Sequence, residues 1–412
     1  MKYLSIVLFA VILASCASPR QYKKLKKHTY INPVDTKTRP IDYQERGTFM
    51  YGEVGVTNDF PSARLNKFEK INDSLFTATI NPENSPINPS PWYAFKIWSN
   101  KTKHIDVDLQ YGDHKHRYSP KISRDGEHWK ILDSSFVHLG TDSTSARINL
   151  KIDQDTLWVA AQEIQDTKRV GQWIDSIAQN SFVTTNDVGK SAQNRPLFHM
   201  NITKGSYDKK PTIIVISRQH PPEVTGFFAM KAFIETIIAE GGTNGFLEKY
   251  RVMVYPLMNP DGVDLGHYRH NTGGIDLNRD WSAYNQPEIA QIAGHMVRET
   301  KAHKNNVLLG LDFHSTFYDV YYTPDESVKR KIPDFTKTWL QQIKTDLQIE
   351  DINESPGKGT RPTSSAWFNR QFGATGITYE IGDDTPRDFI RQKGEVSAHA
   401  MMDYFLNDDL GK

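Results

Sequence analysis

The sequence predicts an α/β domain with a mixed, mostly parallel sheet flanked by helices, preceded by an all-β sandwich domain. Between residues 46 and 166, short alternating strand patterns are separated by turn residues at fairly even spacing, which is typical of a sandwich. From residue 167 to residue 412, apolar strand segments alternate with helical patterns, which is typical of a parallel or mixed sheet covered by helices.

The length and the composition agree with two folded domains. A chain of 412 residues is too long for one ordinary hydrophobic core, and 11% aromatic residues are ample for packed cores. The formal net charge of +1 gives no basic excess, so the sequence does not predict a nucleic-acid partner.

The start of the chain predicts export and membrane anchoring. The charge of Lys2, the apolar run Tyr3–Leu13 and the small residues that follow it predict a signal peptide of residues 1–15. Leu13–Cys16 resembles the bacterial lipobox, and Cys16 is the only cysteine, so we expect it to carry lipid and hold the protein to a bacterial membrane. An ordinary cleaved signal with an incidental cysteine is the alternative. Residues 16–45, rich in Lys, Thr and Pro, predict a flexible tether.

In the predicted sandwich, four segments alternate apolar and polar residues and are bounded by Asn, Pro, Gly or Asp. They are Asp73–Ile80, Trp92–Trp98, His104–Gln110 and Leu157–Ala160. Ser123–Gly126 predicts a hairpin turn. None of these segments carries residues at metal-ligand spacing.

In the second domain, strand and helix patterns follow one another. The predicted strands are Leu197–Ile202, Pro211–Ser217, Tyr250–Pro256, Val307–His314 and Gly376–Glu380. The predicted helices are Trp173–Gln179, which links the domains, Val224–Ala239, Gln286–Lys301 and Asp334–Gln348.

Residues with metal-binding side chains follow two of these strands. His220 and Glu223 lie on the turn between a buried strand and a helix, where open α/β sheets place their ligands, and His314 ends a later strand. Two histidines and a glutamate leave one position open on zinc, which is the pattern of a catalytic zinc site. Glu380 ends the last strand and is the candidate general base for water at that position. The alternative is that these are ordinary structural or surface residues.

Taken together, these motifs resemble the M14 family of zinc carboxypeptidases. The matching segments are Gly189–Leu197, His220–Glu223, Asn259–Gly262, Gly274–Trp281, Asp312–Ser315 and Thr378–Ile381. The stretch Gly266–Asn271 and the preceding sandwich are more similar to the cytosolic carboxypeptidase branch than to the digestive enzymes. The resemblance implies a carboxypeptidase-like fold and one Zn²⁺ per chain on His220, Glu223 and His314.

The same resemblance implies roles for further residues. Glu380 would be the base and then the proton donor to the leaving amine, and Asn278 with Arg279 would hold the terminal carboxylate of a peptide substrate. A salt bridge to a neighbouring aspartate is the alternative for Arg279. Arg269 is the candidate for stabilising the oxyanion, although digestive members place that arginine where this chain has Thr272.

The segment before Glu380 lines the side-chain pocket in the family. It contains Lys358 and Arg361, which either favour an acidic side chain or a second carboxylate of the substrate, or are solvent-facing loop charges. Both interpretations stay open.

Three functions are compatible with the sequence. The preferred one is a lipid-anchored metallocarboxypeptidase that hydrolyses a C-terminal peptide or amide bond. The second is a zinc amidohydrolase that acts on cell-wall peptides with γ-glutamyl bonds or on N-acyl amino acids. The third is a non-catalytic binding lipoprotein of the envelope, against which Glu380 argues because pure binding needs no base.

Overall fold

The computed structural model describes residues 25–30 and 33–407, and these residues form three β-sheets and eight α-helices. Two sheets belong to the first part of the chain and the third sheet to the second part. No helix within the described ranges has the length and apolar character needed to cross a membrane.

The first part is a sandwich of two sheets. Its strands are β1 (Thr48–Tyr51), β2 (Val54–Thr57), β3 (Lys67–Lys70), β4 (Leu75–Thr79), β5 (Ala94–Ser99), β6 (Lys103–Gln110), β7 (Lys121–Ser123), β8 (Lys130–Ile131), β9 (Val137–Leu139), β10 (Ser145–Ile152) and β11 (Leu157–Ala160). The sheet order is β1-β2-β5-β11-β7-β8 in one layer and β3-β4-β6-β10-β9 in the other. Apolar side chains from alternate positions of both layers, such as Phe95 and Val107, form one core between them.

The second part is built on one mixed sheet. Its strands are β12 (Val183–Lys190), β13 (Pro196–Ile202), β14 (Pro211–Ser217), β15 (Arg251–Tyr255), β16 (Asn306–Thr316), β17 (Val320–Pro324), β18 (Glu354–Gly357) and β19 (Thr375–Gly382). The order is β12-β13-β15-β14-β16-β19-β17-β18. The central strands β15, β14, β16 and β19 are parallel to one another, and β13 and β17 are antiparallel to their inner neighbours.

Helices cover both faces of this sheet. The helices are α1 (Thr167–Ile177), α2 (Val224–Gly241), α3 (Phe246–Lys249), α4 (Pro260–Leu265), α5 (Pro287–Ala302), α6 (Phe335–Asp346), α7 (Ser364–Phe372) and α8 (Arg387–Asn407). Ile213 and Val215 of β14 pack on the side of α2, α6 and α8, whereas Ile214 and Ile216 pack on the side of α5 and α7. Because β14 is apolar on both faces, its continuous run of β-branched residues predicts its central position.

One glycine sets how closely α2 approaches the sheet. A Cβ atom on Gly226 would lie 2.1 Å from the carbonyl oxygen of His314 on β16. Only glycine therefore allows the first turn of α2 to pack against the end of that strand.

The predicted fold class is confirmed: an α/β unit with a mixed, mostly parallel sheet follows a two-layered β-sandwich. The five predicted strands and four predicted helices of the second part are present, with ends that differ by a few residues. The sequence pattern does not predict β12, β17 and β18, nor the helices α3, α4, α7 and α8. β12 and β18 are edge strands that expose most of their residues and show no apolar alternation, and β17 has only 5 residues.

The described part of the predicted tether lies against the α/β unit. Thr36 is buried, its hydroxyl donates to Asp280, and its carbonyl oxygen accepts from Gln286 Nε2 at 2.7 Å. The backbone N–H of Arg39 donates to Gly273 O at 2.8 Å. Over these residues the structure differs from a flexible tether, because polar groups of the α/β unit fix the backbone. Cys16 and the predicted signal peptide lie outside the described residues.

The sandwich and the α/β unit are joined by both ion pairs and apolar contacts. Arg387 of α8 donates through Nε and Nη2 to the carboxylate of Glu163, which follows the last sandwich strand. Val224 and Tyr268 of the α/β unit are fully buried in the hydrophobic core of the sandwich. The sheet edge that carries the predicted site therefore faces the sandwich.

Candidate metal centre

Two histidines and a glutamate converge at the carboxyl ends of β14 and β16. The Nδ1 atom of His220 lies 2.8 Å from Glu223 Oε1, and the Nδ1 atom of His314 lies 2.6 Å from Glu223 Oε2. One ligand atom from each residue lies within 4.8 Å of the other two, and all three residues are buried. This set of two imidazole nitrogens and one carboxylate oxygen fits zinc and leaves room for a fourth ligand.

The local fold accounts for this convergence. His220 lies on the turn after β14, and Glu223 precedes the first residue of α2, so a short connection places both at the same edge. His314 lies near the end of β16, which pairs in parallel with β14. Burial raises the pKa of Glu223, but the charges of His220 and His314 outweigh it and leave that pKa below its ordinary value.

A second carboxylate orients each histidine from behind. His220 Nε2 lies 2.9 Å from Asp276 Oδ1, and His314 Nε2 lies 2.7 Å from Asp312 Oδ2. Because a carboxylate only accepts hydrogen bonds, each Nε2 donates to its aspartate, and each Nδ1 faces Glu223. A metal held between the Nδ1 atoms and Glu223 would take the place of any Nδ1 proton. Burial lowers the pKa of His314, but Asp312 and Glu223 more than compensate and raise it.

Asp312 is itself fixed by two further donors. Gln219 Nε2 donates to its Oδ2 atom at 2.6 Å, and the hydroxyl of Ser364, the first residue of α7, makes a short hydrogen bond to the same atom. No role for Asp312 was predicted from the sequence. A usable signal was present, since residues two apart on a strand point to the same side and Asp312 precedes His314 by two.

Glu380 faces the same cavity from the next strand. In the parallel pairing of β16 with β19, His314 lies directly opposite Glu380. Glu380 Oε2 is buried without a hydrogen-bond partner among the described residues, which suits an atom that accepts a proton from a bound molecule. Burial, opposed by His314 and reinforced by Glu223, raises the pKa of Glu380 to about 7.

All nine predicted metal, catalytic and substrate-binding residues line one cavity of about 640 Å³. They are His220, Glu223, Arg269, Asn278, Arg279, His314, Lys358, Arg361 and Glu380. The structure thus brings together residues that are far apart in the sequence.

Arg269 and Arg279 both line the cavity, but only Arg269 makes a close hydrogen bond to Asp276. Arg269 Nε donates to Asp276 Oδ2 at 2.8 Å, whereas Arg279 Nη1 lies 4.0 Å from the same atom. The salt-bridge interpretation of Arg279 therefore describes only a long contact, and its guanidinium lines the cavity. Thr272, at the position of the digestive arginine, places its hydroxyl 3.4 Å from Asp261 Oδ2.

Lys358 and Arg361 lie in the loop between β18 and α7. Both side chains line the cavity and both are exposed, so the structure is compatible with either interpretation of their charges.

The sandwich adds two residues to the cavity that were not predicted from the sequence. Arg117 and Asn88 line it, and Arg117 Nε donates to Asp383 Oδ2, just beyond β19, at 2.7 Å. Burial raises the pKa of Asp383 to about 6, against the opposing effect of Arg117. No local sequence signal identifies Arg117, because Asp383 and Ser315, which bring it to the cavity, belong to the other structural unit.

Comparison with known proteins agrees with this geometry. The family model described as zinc carboxypeptidase, M14, matches residues 170–397. Mouse cytosolic carboxypeptidase 6 is 27% identical over 62% of this chain and 52% of its own length. The chain covers about half of the length, or less, of the first curated relatives.

Solved structures show the same fold. A metallo-carboxypeptidase from Burkholderia cenocepacia is 16% identical, with a TM-score of 0.71 over 86% of this chain and 99% of its own. A metallo-carboxypeptidase from Pseudomonas aeruginosa, in complex with (2-guanidinoethylmercapto)succinic acid, is 20% identical, with a TM-score of 0.67 over 86% of this chain and 99% of its own. With a family match over more than half of its residues, this chain belongs to the M14 family of zinc carboxypeptidases.

Proposed function

We propose that this protein hydrolyses the C-terminal peptide or amide bond of a substrate that carries a free carboxylate. The observation that carries the proposal is Glu380: the residue lines the cavity beside the buried cluster of His220, Glu223 and His314, and its Oε2 atom has no hydrogen-bond partner among the described residues. A binding protein has no need of such a base next to a zinc site. Family membership supports the same reaction.

The residues of the cavity divide the reaction between them. Zinc, when bound by the cluster, supplies Lewis acidity that acidifies water and polarises the scissile carbonyl. Glu380 takes the proton from the attacking water and then passes it to the leaving amine. The Arg269 guanidinium hydrogen-bonds the oxygen on which negative charge develops. Arg279 and Asn278 hold the terminal carboxylate and so fix which bond is cleaved.

The charge of the remaining cavity wall supports an acidic substrate. Lys358, Arg361, Arg117 and Arg370 line the cavity in addition to the two arginines already given roles. We therefore propose that an acidic C-terminal residue, or a second carboxylate of the substrate, is preferred.

Membrane anchoring is a separate proposal. The lipobox-like segment Leu13–Cys16 and the absence of any other cysteine support lipid attachment at Cys16 and a location in the bacterial cell envelope. Envelope location brings cell-wall peptides within reach as substrates.

Replacing Glu380 by glutamine tests the reaction. The Glu380→Gln variant is expected to lower kcat by about 100- to 10,000-fold, because the amide cannot accept the proton of water. The measurement is release of C-terminal residues from peptides ending in acidic, basic or aromatic residues and from muropeptides, with and without a chelator. The matched control is Glu395→Gln on α8, whose side chain is 38% exposed and pairs with Arg391. Equal activity of Glu380→Gln and wild type, or no release by wild type, contradicts the proposal.

Asp312, which accepts a hydrogen bond from His314 Nε2, is expected to increase the affinity of the site for zinc. Asp312→Asn keeps the size of the side chain but cannot accept from His314, Gln219 and Ser364 as a carboxylate does. We expect zinc affinity to fall by about 10- to 100-fold in a competition with a chromogenic chelator. The control is Glu288→Gln, a buried carboxylate that bonds Asn271 and does not line the cavity. Unchanged affinity in Asp312→Asn would show that the residue does not act on the metal.

The acidic preference predicts a change in specificity. In Lys358→Gln/Arg361→Gln, kcat/KM for a peptide ending in glutamate is expected to fall about fivefold relative to one ending in leucine. The factor is modest because exposed ion pairs contribute no more than ~1 kcal/mol. Lys337→Gln, an exposed position on α6, is the control. An unchanged ratio would identify both residues as solvent-facing loop charges.

The anchor predicts where the protein fractionates. On expression in a bacterium, the wild-type chain is expected in the membrane fraction and labelled by a clickable fatty acid. Cys16→Ser is expected to lose the label, because the thiol is the acceptor of the lipid, whereas the control Ser18→Ala keeps it. A wild-type chain without label refutes lipidation.

A further inference from the structure

A carboxylate from the sandwich is buried against the loop that carries Arg269. Glu83 follows β4 and is fully buried. Its Oε2 atom accepts from the backbone N–H of Tyr268 at 2.7 Å, and its Oε1 atom accepts from those of Arg269 and His270 at 3.0 and 2.6 Å. One side chain of the sandwich thus satisfies three consecutive backbone donors of the α/β unit.

The contact of Glu83 with the loop involves a buried charge, which distinguishes it from ordinary packing between the two units. Burial raises the pKa of Glu83, but His267, Arg64 and the N–H donors outweigh it, and the pKa lies below its ordinary value. The group is therefore a buried carboxylate anion. Burying a charge costs several kcal/mol unless hydrogen bonds and opposite charges compensate, so its partners determine where it can lie.

The same loop is tied to the sandwich on both sides of Arg269. The Tyr268 hydroxyl donates to Ile80 O at 2.9 Å, and His270 Nδ1 lies 2.7 Å from Asn84 Oδ1. With the backbone fixed in this way, the Arg269 side chain lines the cavity and donates to Asp276, which also bonds His220. Arg269 therefore bonds Glu83 through its backbone N–H and Asp276 through its side chain, and Asp276 in turn bonds His220 of the metal cluster.

We infer that Glu83 is a positioning residue: by holding the backbone of Tyr268–His270, the sandwich places the Arg269 guanidinium at the site of the developing oxyanion. The inference rests on the proposed peptidase function. The inference gives the sandwich a part in the reaction. Without the Glu83 carboxylate, the three backbone N–H groups of the loop lose their acceptor, and the backbone that carries the Arg269 side chain is no longer held in place.

The junction provides a matched control. Glu163 is a second carboxylate that joins the sandwich to the α/β unit, through Arg387, and it does not line the cavity. Glu163→Gln removes a junction charge of the same kind without touching the Arg269 loop. A merely adhesive role for Glu83 predicts that the two variants behave alike.

The test compares Glu83→Gln, Glu163→Gln, Arg269→Ala and the double variant Glu83→Gln/Arg269→Ala, all loaded with zinc and assayed for kcat and KM on one peptide. We expect Glu83→Gln to lower kcat by about 10- to 100-fold with little change in KM or zinc content, because a misplaced group costs about that much. In the Arg269→Ala background, Glu83→Gln should add less than about twofold, since both changes remove one function.

Several outcomes would overturn the inference. They are an additive loss in the double variant, an equal loss in Glu163→Gln, or a loss confined to KM. If Glu83→Gln does not fold, Glu83→Asp keeps the charge but shortens the side chain, and the same cycle applies with a smaller expected loss of kcat.

Hydrogen exchange separates this inference from the proposed function. The backbone amides of Tyr268, Arg269 and His270 should be strongly protected in the wild-type protein and lose protection in Glu83→Gln but not in Glu163→Gln. Unchanged protection in Glu83→Gln refutes the positioning of the loop. A wild-type protein with the expected protection but no peptidase activity refutes the proposed function instead.

Discussion

The parallel pairing of β14, β16 and β19 is the constraint on which the rest of the site depends. Parallel strands end at the same edge of a sheet, so side chains that end separate strands meet there. The register sets Ser217 opposite Phe313 and His314 opposite Glu380. A slip of one residue in either pair would turn the functional side chain to the other face, because side chains alternate along a strand. The apolar packing of both sheet faces holds this register.

Electrostatics at this edge then favours a cation. Glu223, Asp276, Asp312 and Glu380 are carboxylates within or next to the cluster, and Arg269 is bonded to Asp276. The two imidazoles are neutral when they bind a metal through Nδ1, so they do not offset these charges. A divalent ion compensates the carboxylate charge and uses the donors that the fold brings together. Arg279, which lies 4.0 Å from Asp276, keeps its guanidinium on the cavity wall.

The sequence predicts those parts of the site that depend on local structure. His220, Glu223, His314 and Glu380 follow or end strands, and strand ends can be located from apolar runs and turn residues. Asp312 could have been inferred from the strand period. Residues supplied by the sandwich could not, since their spatial neighbours are set by packing between the two units and leave no periodic trace in the sequence. The contacts around Thr36 were missed for the same reason, because the composition of that segment alone is typical of a tether.

The hydrophobic core of the sandwich extends into the α/β unit at two points that matter for the site. Val224, the residue after Glu223, and Tyr268, the residue before Arg269, are fully buried in it. Each buried side chain contributes about 1.5–3 kcal/mol relative to exposure, so the backbone beside a metal ligand and beside the cavity arginine is held by sandwich packing. Loosening that core would move Glu223 and Arg269 together. Folding of the sandwich and the geometry of the metal centre are therefore coupled through the same apolar contacts.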